Sequence, residues 1–150
     1  INTASFAVTA SFALNGGGGG GNTFTPYQTG SSANTILPKR GSNHCVIGTF
    51  SAISAGSCNS SSANCAIVAG GTGNTMKQSA RSVIVGGSCN IIAAGSTTNC
   101  ISMVGGFQNT GSCDFTGVLG GCKNYVTHDH SFIIGSNITS DKSCYTFVNN

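Results

Sequence analysis

The chain has 150 residues, of which 23 are glycine and only 6% are charged, with three aspartates and no glutamate. Because Gly, Ser, Thr and Asn favour turns and short strands, this composition excludes a helical protein. The net charge of +3 comes from six scattered basic residues, whereas nucleic-acid binding needs basic groups that neutralise several phosphates together. No run approaches the ~20 apolar residues of a membrane span. We therefore expect no nucleic-acid partner and no membrane insertion.

The first predicted element is a strand near the N-terminus. Residues 3–14 read TASFAVTASFAL, in which every even position is apolar. This period of two is typical of a strand with one buried face, and a lone strand of this kind is not stable. We predict that residues 1–15 dock on another subunit or another protein. The N-terminus has neither an initiator Met nor a signal-peptide pattern, so we expect a mature or excised segment of a longer chain.

A glycine-rich linker and an irregular connection are predicted for residues 16–42. Gly16 to Gly21 form an unbroken run of six glycines, which behaves as a flexible hinge and lacks the Lys-Ser/Thr ending of a phosphate-binding loop. Asn22 to Ser42, with Pro26 and Pro38, is expected to be irregular.

A repeat occupies residues 43–150. Three strand-like residues followed by Gly-Gly recur at Ile67–Gly71, Val83–Gly87, Ser102–Gly106 and Gly117–Gly121, with degenerate copies at Cys45–Gly48 and Phe132–Gly135. The first glycines are 22, 16, 19, 15 and 15 residues apart. An asparagine follows four residues later in the copies Asn74, Asn90, Asn109 and Asn124. Because Gly and Asn tolerate left-handed backbone, each copy predicts a strand, a Gly-Gly bend, an Asn-assisted turn and a variable return segment.

Stacked copies of such a unit predict an all-β fold, a parallel β-roll or β-solenoid. The two residues before each first glycine are both apolar, as in Ile84-Val85. Successive strand residues point to opposite faces, so one member of each pair fills the interior and the other points outward. The outward members would form an apolar stripe that soluble monomers seldom leave uncovered. The repeat therefore predicts a homo-oligomer.

The segment Ser82-Val83-Ile84-Val85-Gly86 and its copies resemble the head repeats of trimeric autotransporter adhesins over about residues 43–150. This resemblance implies a parallel β-roll and three rolls packed around an axis, hence a homotrimer. The chain departs from that family in its doubled glycines, irregular period and abundant cysteines. It also has nothing similar to the family's C-terminal membrane anchor, which argues against a complete autotransporter.

The tandem TASFAV-TASFAL and the glycine run resemble segments of phage and other virus structural proteins, notably fibres and their attachment regions. Together the two resemblances imply a structural fibre or spike module on a virion surface, serving as a spacer or as a receptor-facing fibre. Its expected partners are other virion or surface proteins, bound through residues 1–15, and host glycans. The alternative is a bacterial extracellular adhesin head. A third class, a solenoid that binds ice, is disfavoured by the irregular spacing of 15 to 22 residues.

The cysteines allow more than one interpretation. They are Cys45, Cys58, Cys65, Cys89, Cys100, Cys113, Cys122 and Cys144. Cysteine is a small hydrophobe suited to a narrow interior, whereas an even count in an extracellular chain also suits disulfides. Phage proteins assemble in a reducing cytoplasm, which favours interior free thiols. No C-x-x-C pair or zinc-finger spacing occurs, so a zinc site is not expected.

The motif His128-Asp129-His130 allows two interpretations. On a strand the two imidazoles would face the same side, and three copies around an axis would supply six ligands to a transition metal. The resemblance to phage fibres implies this arrangement, since some fibre tips hold iron through an H-x-H motif. Otherwise the motif is a solvated turn between repeats. We assign no metal ligand and no cofactor.

Catalytic groups are sparse. Three scattered aspartates offer no obvious carboxylate pair for glycoside hydrolysis, and serine is too frequent for one nucleophile to be singled out. We expect no enzymatic activity and name no catalytic or cofactor-binding residue.

Overall fold

The computed structural model describes residues 27–30, 32, 34–38, 43–77, 81–93, 100–140 and 147–149. Within these ranges the regular structure is entirely β, with no helix, so the predicted fold class is confirmed. The docking strand predicted for residues 1–15 and the glycine hinge at 16–21 lie outside the described residues.

The strands are short and alternate between two sheets. In chain order they are β1 (Tyr27–Thr29), β2 (Ile36–Pro38), β3 (Cys45–Val46), β4 (Ala52–Ile53), β5 (Ser60–Ser61), β6 (Ile67–Val68), β7 (Thr75–Met76), β8 (Val83–Ile84), β9 (Ile91–Ile92), β10 (Ser102–Met103), β11 (Thr110–Gly111), β12 (Gly117–Val118), β13 (Tyr125–Val126), β14 (Phe132–Ile134), β15 (Thr139–Ser140) and β16 (Phe147–Asn149).

Sheet A contains β1 and the even-numbered strands, and sheet B contains the odd-numbered strands from β3 to β15. Every strand from β2 onward pairs in parallel with the strand two places along the chain. Each turn of the chain thus adds one strand to each sheet and stacks on the turn before it. The result is a parallel β-solenoid of about six turns.

The core is made of two columns of inward side chains. Of the two residues in a typical strand, the second is buried and the first is not. In sheet A the inward column is Leu37, Ile53, Val68, Ile84, Met103, Val118 and Ile133; in sheet B it is Val46, Ser61, Met76, Ile92, Gly111, Val126 and Ser140. Large and small residues compensate across the core, since a Cβ added to Gly111 would lie 2.9 Å from Met103 Cε.

One of the predicted repeat copies is out of register. Val46 belongs to sheet B, where it pairs with Ser61, so Cys45–Gly48 does not precede Ile67–Gly71 in the stack. The true preceding copy is Ala52–Gly56, because Ala52 pairs with Ile67 and Ile53 with Val68 in sheet A. An apolar pair before a glycine arises in either sheet, and the sequence pattern does not distinguish them.

The irregular connection predicted for residues 22–42 is also corrected in part. Residues 27–38 contain β1 and β2, which pair antiparallel, and β2 pairs in parallel with β4. The Ser32 hydroxyl donates to the Ile47 carbonyl at the first edge of sheet B, and Thr35 Oγ1 donates to Ser32 O at 2.8 Å. Open sheet edges are templates for unwanted pairing. Because this segment lies on the first edge of the stack, we describe it as an N-terminal cap on the solenoid.

Candidate assembly surface

The connection from sheet A to sheet B, here called the glycine corner, has the same length in five of the described turns and differs only in the first, from Leu37 to Val46, and the last, from Ile133 to Ser140. Eight residues separate the inward residue of sheet A from that of sheet B in five turns, as from Ile84 to Ile92. The glycine three positions after the inward residue of sheet A, which ends a Gly-Gly doublet in every case but Gly56, has a positive φ: 92° at Gly56, 85° at Gly71, 82° at Gly87, 94° at Gly106 and 83° at Gly121. A Cβ at any of these positions would collide with the carbonyl oxygen of the corresponding glycine one turn on. Glycine is therefore required both by the backbone conformation and by the close stacking of turns.

The asparagines of this corner do not adopt the left-handed conformation that the sequence suggested. The left-handed residue is the one before each asparagine, for example Cys89 with a φ of 55° and Lys123 with a φ of 55°. The asparagines themselves are buried and form a column, Asn59, Asn74, Asn90, Asn109 and Asn124. The sequence correctly predicted an asparagine at this corner, but the prediction that the asparagine itself adopts left-handed backbone was wrong.

This column is an amide ladder. Each Oδ1 accepts a hydrogen bond from the backbone N–H at the same position one turn on, at 2.9–3.1 Å, and the last donor is Ile138. Each Nδ2 donates to a carbonyl four residues earlier, at 3.0–3.2 Å, and to a glycine carbonyl of the next turn. Buried amides are costly unless they are paired, so the ladder requires neighbouring turns to keep this register.

The connection from sheet B back to sheet A, here called the variable corner, changes length. Seven residues separate Ser61 from Val68, eight separate Met76 from Ile84, and eleven separate Ile92 from Met103. All of the irregular spacing in these central turns is taken up here, so both sheets remain in register. The irregular spacing of the repeats therefore arises at the variable corner, and the strands of both faces remain evenly stacked.

The seven described cysteines are free, and none of them belongs to the core. Cys45, Cys58, Cys65 and Cys89 are exposed, and Cys100, Cys113 and Cys122 are half-buried. The interpretation as interior thiols is wrong, because Val, Ile and Met fill the inward columns and the cysteines lie at corners or on outer faces. Partial burial raises the pKa of the Cys113 thiol, and the nearby carboxylates of Asp129 and Asp114 add to the effect. Cys144 lies outside the described residues.

The His128-Asp129-His130 motif forms a turn and not a strand. The Nδ1 atom of His128 lies 3.0 Å from Ser140 O, whereas His130 has a φ of 55° and stacks on Phe115 with ring centroids 5.2 Å apart. The premise of two imidazoles projecting from one strand is therefore wrong. Among the residues that the structure places, no three His, Cys, Asp or Glu side chains gather as metal ligands would.

Two aspartates that are distant in the sequence become neighbours. Asp114 and Asp129 occupy equivalent positions in adjacent turns, and the Asp114 backbone N–H donates to Asp129 Oδ1 at 2.8 Å. Their spacing of 15 residues, equal to one turn, was the signal that could have revealed this proximity. The Asp129 carboxylate is used here to stabilise the variable corner.

The outer face of sheet A is apolar. Its outward side chains are Ile36, Ala52, Ile67, Val83, Ser102 and Phe132 in one column and Ser54, Ala69, Val85, Val104, Leu119 and Ile134 in the next, with Gly117 between Ser102 and Phe132. None of these residues is charged, and Val85, Val104 and Leu119 remain 47%, 43% and 44% exposed. The prediction that one residue of each apolar pair points inward and the other outward is confirmed for Ile84-Val85, Met103-Val104 and Val118-Leu119.

The outer face of sheet B has a different chemistry. Its outward positions are mostly hydroxyl-bearing, with Ser60, Ser62, Thr75, Thr110, Ser112, Thr127 and Thr139 among them. Several hydroxyls bond the stack itself, since Ser112 Oγ donates to Val126 O at 2.8 Å and Ser62 Oγ to Met76 O at 3.3 Å. Among the described residues, the outer face of sheet A is thus more uniformly apolar than that of sheet B, where Ile47 is also exposed.

Comparisons of the chain with protein-family models, with curated proteins and with solved structures found no match. No described segment is a helix of the length and apolarity needed to span a membrane. The case for a function therefore depends on the two faces and on the residues that line them.

Proposed function

We propose that this chain is a structural fibre module on a virion surface, which assembles as a homotrimer through the outer face of sheet A. The observation that carries this proposal is the uncharged apolar face formed by residues such as Val85, Val104 and Leu119. A solenoid of stacked, similar turns suits a spacer, because it extends by repetition without needing a cleft or a cofactor.

The size of this face supports its use between chains. From β2 to β14 there are six inter-strand steps, which at ~4.8 Å per step give a stripe about 29 Å long. Apolar patches that exceed a few hundred Å² are typical of interaction sites. Burying such a face is worth roughly 25 cal/mol per Å² before the costs of association.

A second copy of the chain suits this face better than an unrelated partner. The repeating rows of one face have the same inter-strand spacing as those of another copy, so that side chains of two copies can interlock along the whole stripe. The resemblance to trimeric autotransporter heads supports three copies around an axis. In that arrangement the hydroxyl-bearing face of sheet B stays outside, where it is available to host glycans.

The virion location follows from the resemblance of residues 3–14 and the glycine run to phage fibre segments, through which the module would bind other virion proteins. The bacterial adhesin head is the second candidate, and the repeats of residues 43–150 support it. An antibody raised against the solenoid should label virus particles in the first case and bacterial cell surfaces in the second.

The assembly is tested by three matched substitutions, followed by circular dichroism and light scattering. Val85→Asp puts a charge on the outer face of sheet A and should leave a folded monomer. Thr75→Asp puts the same charge on the outer face of sheet B and should leave the trimer intact. Ile84→Asp buries the charge in the core and should prevent folding. A wild-type chain that is folded and monomeric would contradict the proposal.

A further inference from the structure

The variable corner brings an aromatic pair and a carboxylate together in two adjacent turns. Phe115 and His130 occupy equivalent positions in these turns, and their rings stack with centroids 5.2 Å apart and planes 13° apart. Phe115 remains 53% exposed although His130 lies against it, so the rest of the Phe115 ring faces solvent. Asp129 precedes His130 and is exposed as well. We call the group formed by Phe115, Asp129 and His130 the aromatic corner.

Hydrogen bonds to the backbone fix the geometry of the aromatic corner. The His130 N–H donates to Asp114 O at 3.1 Å, and the Asp114 N–H donates to Asp129 Oδ1 at 2.8 Å. One oxygen of the Asp129 carboxylate thus holds the two turns together. The exposed carboxylate keeps a second oxygen, Oδ2, that can accept hydrogen bonds from a ligand.

The surroundings of the aromatic corner are polar and carry no cation suited to an anionic ligand. The corner adjoins the outer face of sheet B, where Tyr125 and Thr139 lie side by side and are both exposed. Residues 100–140 include one lysine, Lys123, which lies at the glycine corner, and no arginine. A ligand with hydroxyl groups and no negative charge therefore fits this surface, whereas the Asp129 carboxylate would repel an acidic one.

We propose that the aromatic corner is a binding site for a neutral saccharide. A saccharide ring carries C–H groups on its faces, which gain from packing on an aromatic ring such as Phe115. The hydroxyls at its rim donate strong hydrogen bonds to a carboxylate such as that of Asp129. This inference rests on the proposed function, because it supplies the ligand class of a receptor-facing fibre. Three copies of the chain would present three such sites, so that weak binding at each site adds up on a surface of many glycans.

The same corner near the start of the solenoid supplies a matched control. Phe50 is 61% exposed and has the same left-handed backbone, with a φ of 55°. In the following turn, however, the positions of the imidazole and the carboxylate are occupied by Cys65 and Asn64. Asn64 Oδ1 accepts the Thr49 N–H at 2.9 Å, which is the bond that Asp129 makes in its own turn. An amide can therefore replace the carboxylate and keep the hydrogen bond between turns.

The test is NMR titration of the whole chain with the methyl glycosides of neutral hexoses and N-acetylhexosamines. At least one of them should shift the ring signals of Phe115 and His130. Phe115→Ala should weaken that binding about tenfold or more, because it removes the ring on which the sugar packs. Asp129→Asn keeps the bond between turns and should weaken binding about tenfold, because it removes the charged acceptor. Phe50→Ala should leave the affinity unchanged.

Several outcomes would overturn the site. One is the absence of a shift with every glycoside, and another is an equal loss of affinity in Phe50→Ala and Phe115→Ala. Tighter binding of choline or of a sialic acid glycoside than of any neutral glycoside would also overturn it, because the site would then recognise a charge.

Light scattering on the same samples separates this inference from the proposed function. A trimer that binds none of the glycosides would overturn the site and leave the fibre proposal standing. A folded monomer that binds a neutral glycoside through Phe115 would contradict the trimer and support the site.

Discussion

The two corners of the solenoid both turn the chain from one sheet to the other, but they differ in structure. In the five turns from β4 to β13 the glycine corner keeps one length and joins each turn to the next through buried asparagines, whereas the variable corner ranges from seven to eleven residues in the central turns. Both corners use left-handed residues, such as Cys89 in the first and Cys100 in the second. Buried hydroxyls such as Ser51 and Ser82 also bond between turns at the variable corner, but the described glycine corners carry a continuous column of buried amides that an extra residue would displace. Within these five turns the length is therefore constant at the corner that carries the amide ladder and varies at the other.

The largest effect is expected from removing one rung of the amide ladder. Asn90→Ala deletes the acceptor of the Asn109 N–H and the donors to the Gly86 and Gly106 carbonyls, which should cost about 4 kcal/mol of unfolding free energy. Asn64→Ala is the matched control at the variable corner, where Asn64 Oδ1 accepts one exposed hydrogen bond from the Thr49 N–H. It should cost about 1 kcal/mol. Urea denaturation measures both, and equal losses would contradict the contrast between the corners.

The two glycines of one doublet should respond differently to alanine. Gly87 has a φ of 82°, and its Cβ would meet the Gly106 carbonyl, whereas a Cβ at Gly86 would meet nothing within 4 Å. Gly87→Ala should therefore cost about 3 kcal/mol, and Gly86→Ala should change the unfolding free energy by less than about 0.5 kcal/mol. If both variants unfold at the same urea concentration, the close stacking at the second glycine is not what constrains this corner.

A length change should separate the corners directly. Two residues inserted between Ala63 and Asn64, in the variable corner, should cost less than about 1 kcal/mol because loop-closure entropy grows slowly with length. The same insertion between Gly71 and Thr72 would displace Asn74 from the ladder and should cost about 2 kcal/mol or more. Thermal unfolding followed by circular dichroism compares the two chains. Similar tolerance at both sites would show that the glycine corner is less constrained than we infer.

A smaller change in unfolding free energy is expected from one substitution in each corner. Cys89 and Cys65 hold left-handed backbone with φ values of 55° and 53°, and Gly73 occupies the position equivalent to Cys89 in the preceding turn. Replacing either cysteine by glycine relieves left-handed strain but increases the entropy of the unfolded chain. Both variants should gain about 0.5 kcal/mol in urea denaturation, and a loss in either would mean that the thiol itself makes a stabilising contact.

The smallest effect is expected from a reducing agent. The seven described cysteines are free in both corners and on the faces, so reduction should leave the melting temperature unchanged. A disulfide that closes a loop of this size would be worth roughly 2–4 kcal/mol. A clear fall of the melting temperature under reduction would indicate a bond that involves Cys144 or a second chain.

Much of the fold could be predicted because its signals are local. The doublet at Gly86–Gly87 and the apolar pair Ile84-Val85 predicted a bend after a strand with one inward and one outward residue, and the structure has that arrangement. The candidate assembly surface follows from the same pairs. The cysteines could not be placed in this way, because a small thiol suits an interior and an exposed corner equally well.

The amino-acid sequence by itself determined that the chain is all-β, that its turns stack and that glycine is needed at one of the two corners of each turn, since these properties depend on neighbouring residues. Only the tertiary structure decided which strand pairs with which, and hence that Val46 belongs to sheet B and Ile53 to sheet A. It also decided that the asparagines form a buried ladder, that His44 begins it and that β1 and β2 lie at the start of the stack. The physical reason is that these features depend on contacts between residues a full turn apart, and a short strand looks the same in the sequence whichever sheet it joins.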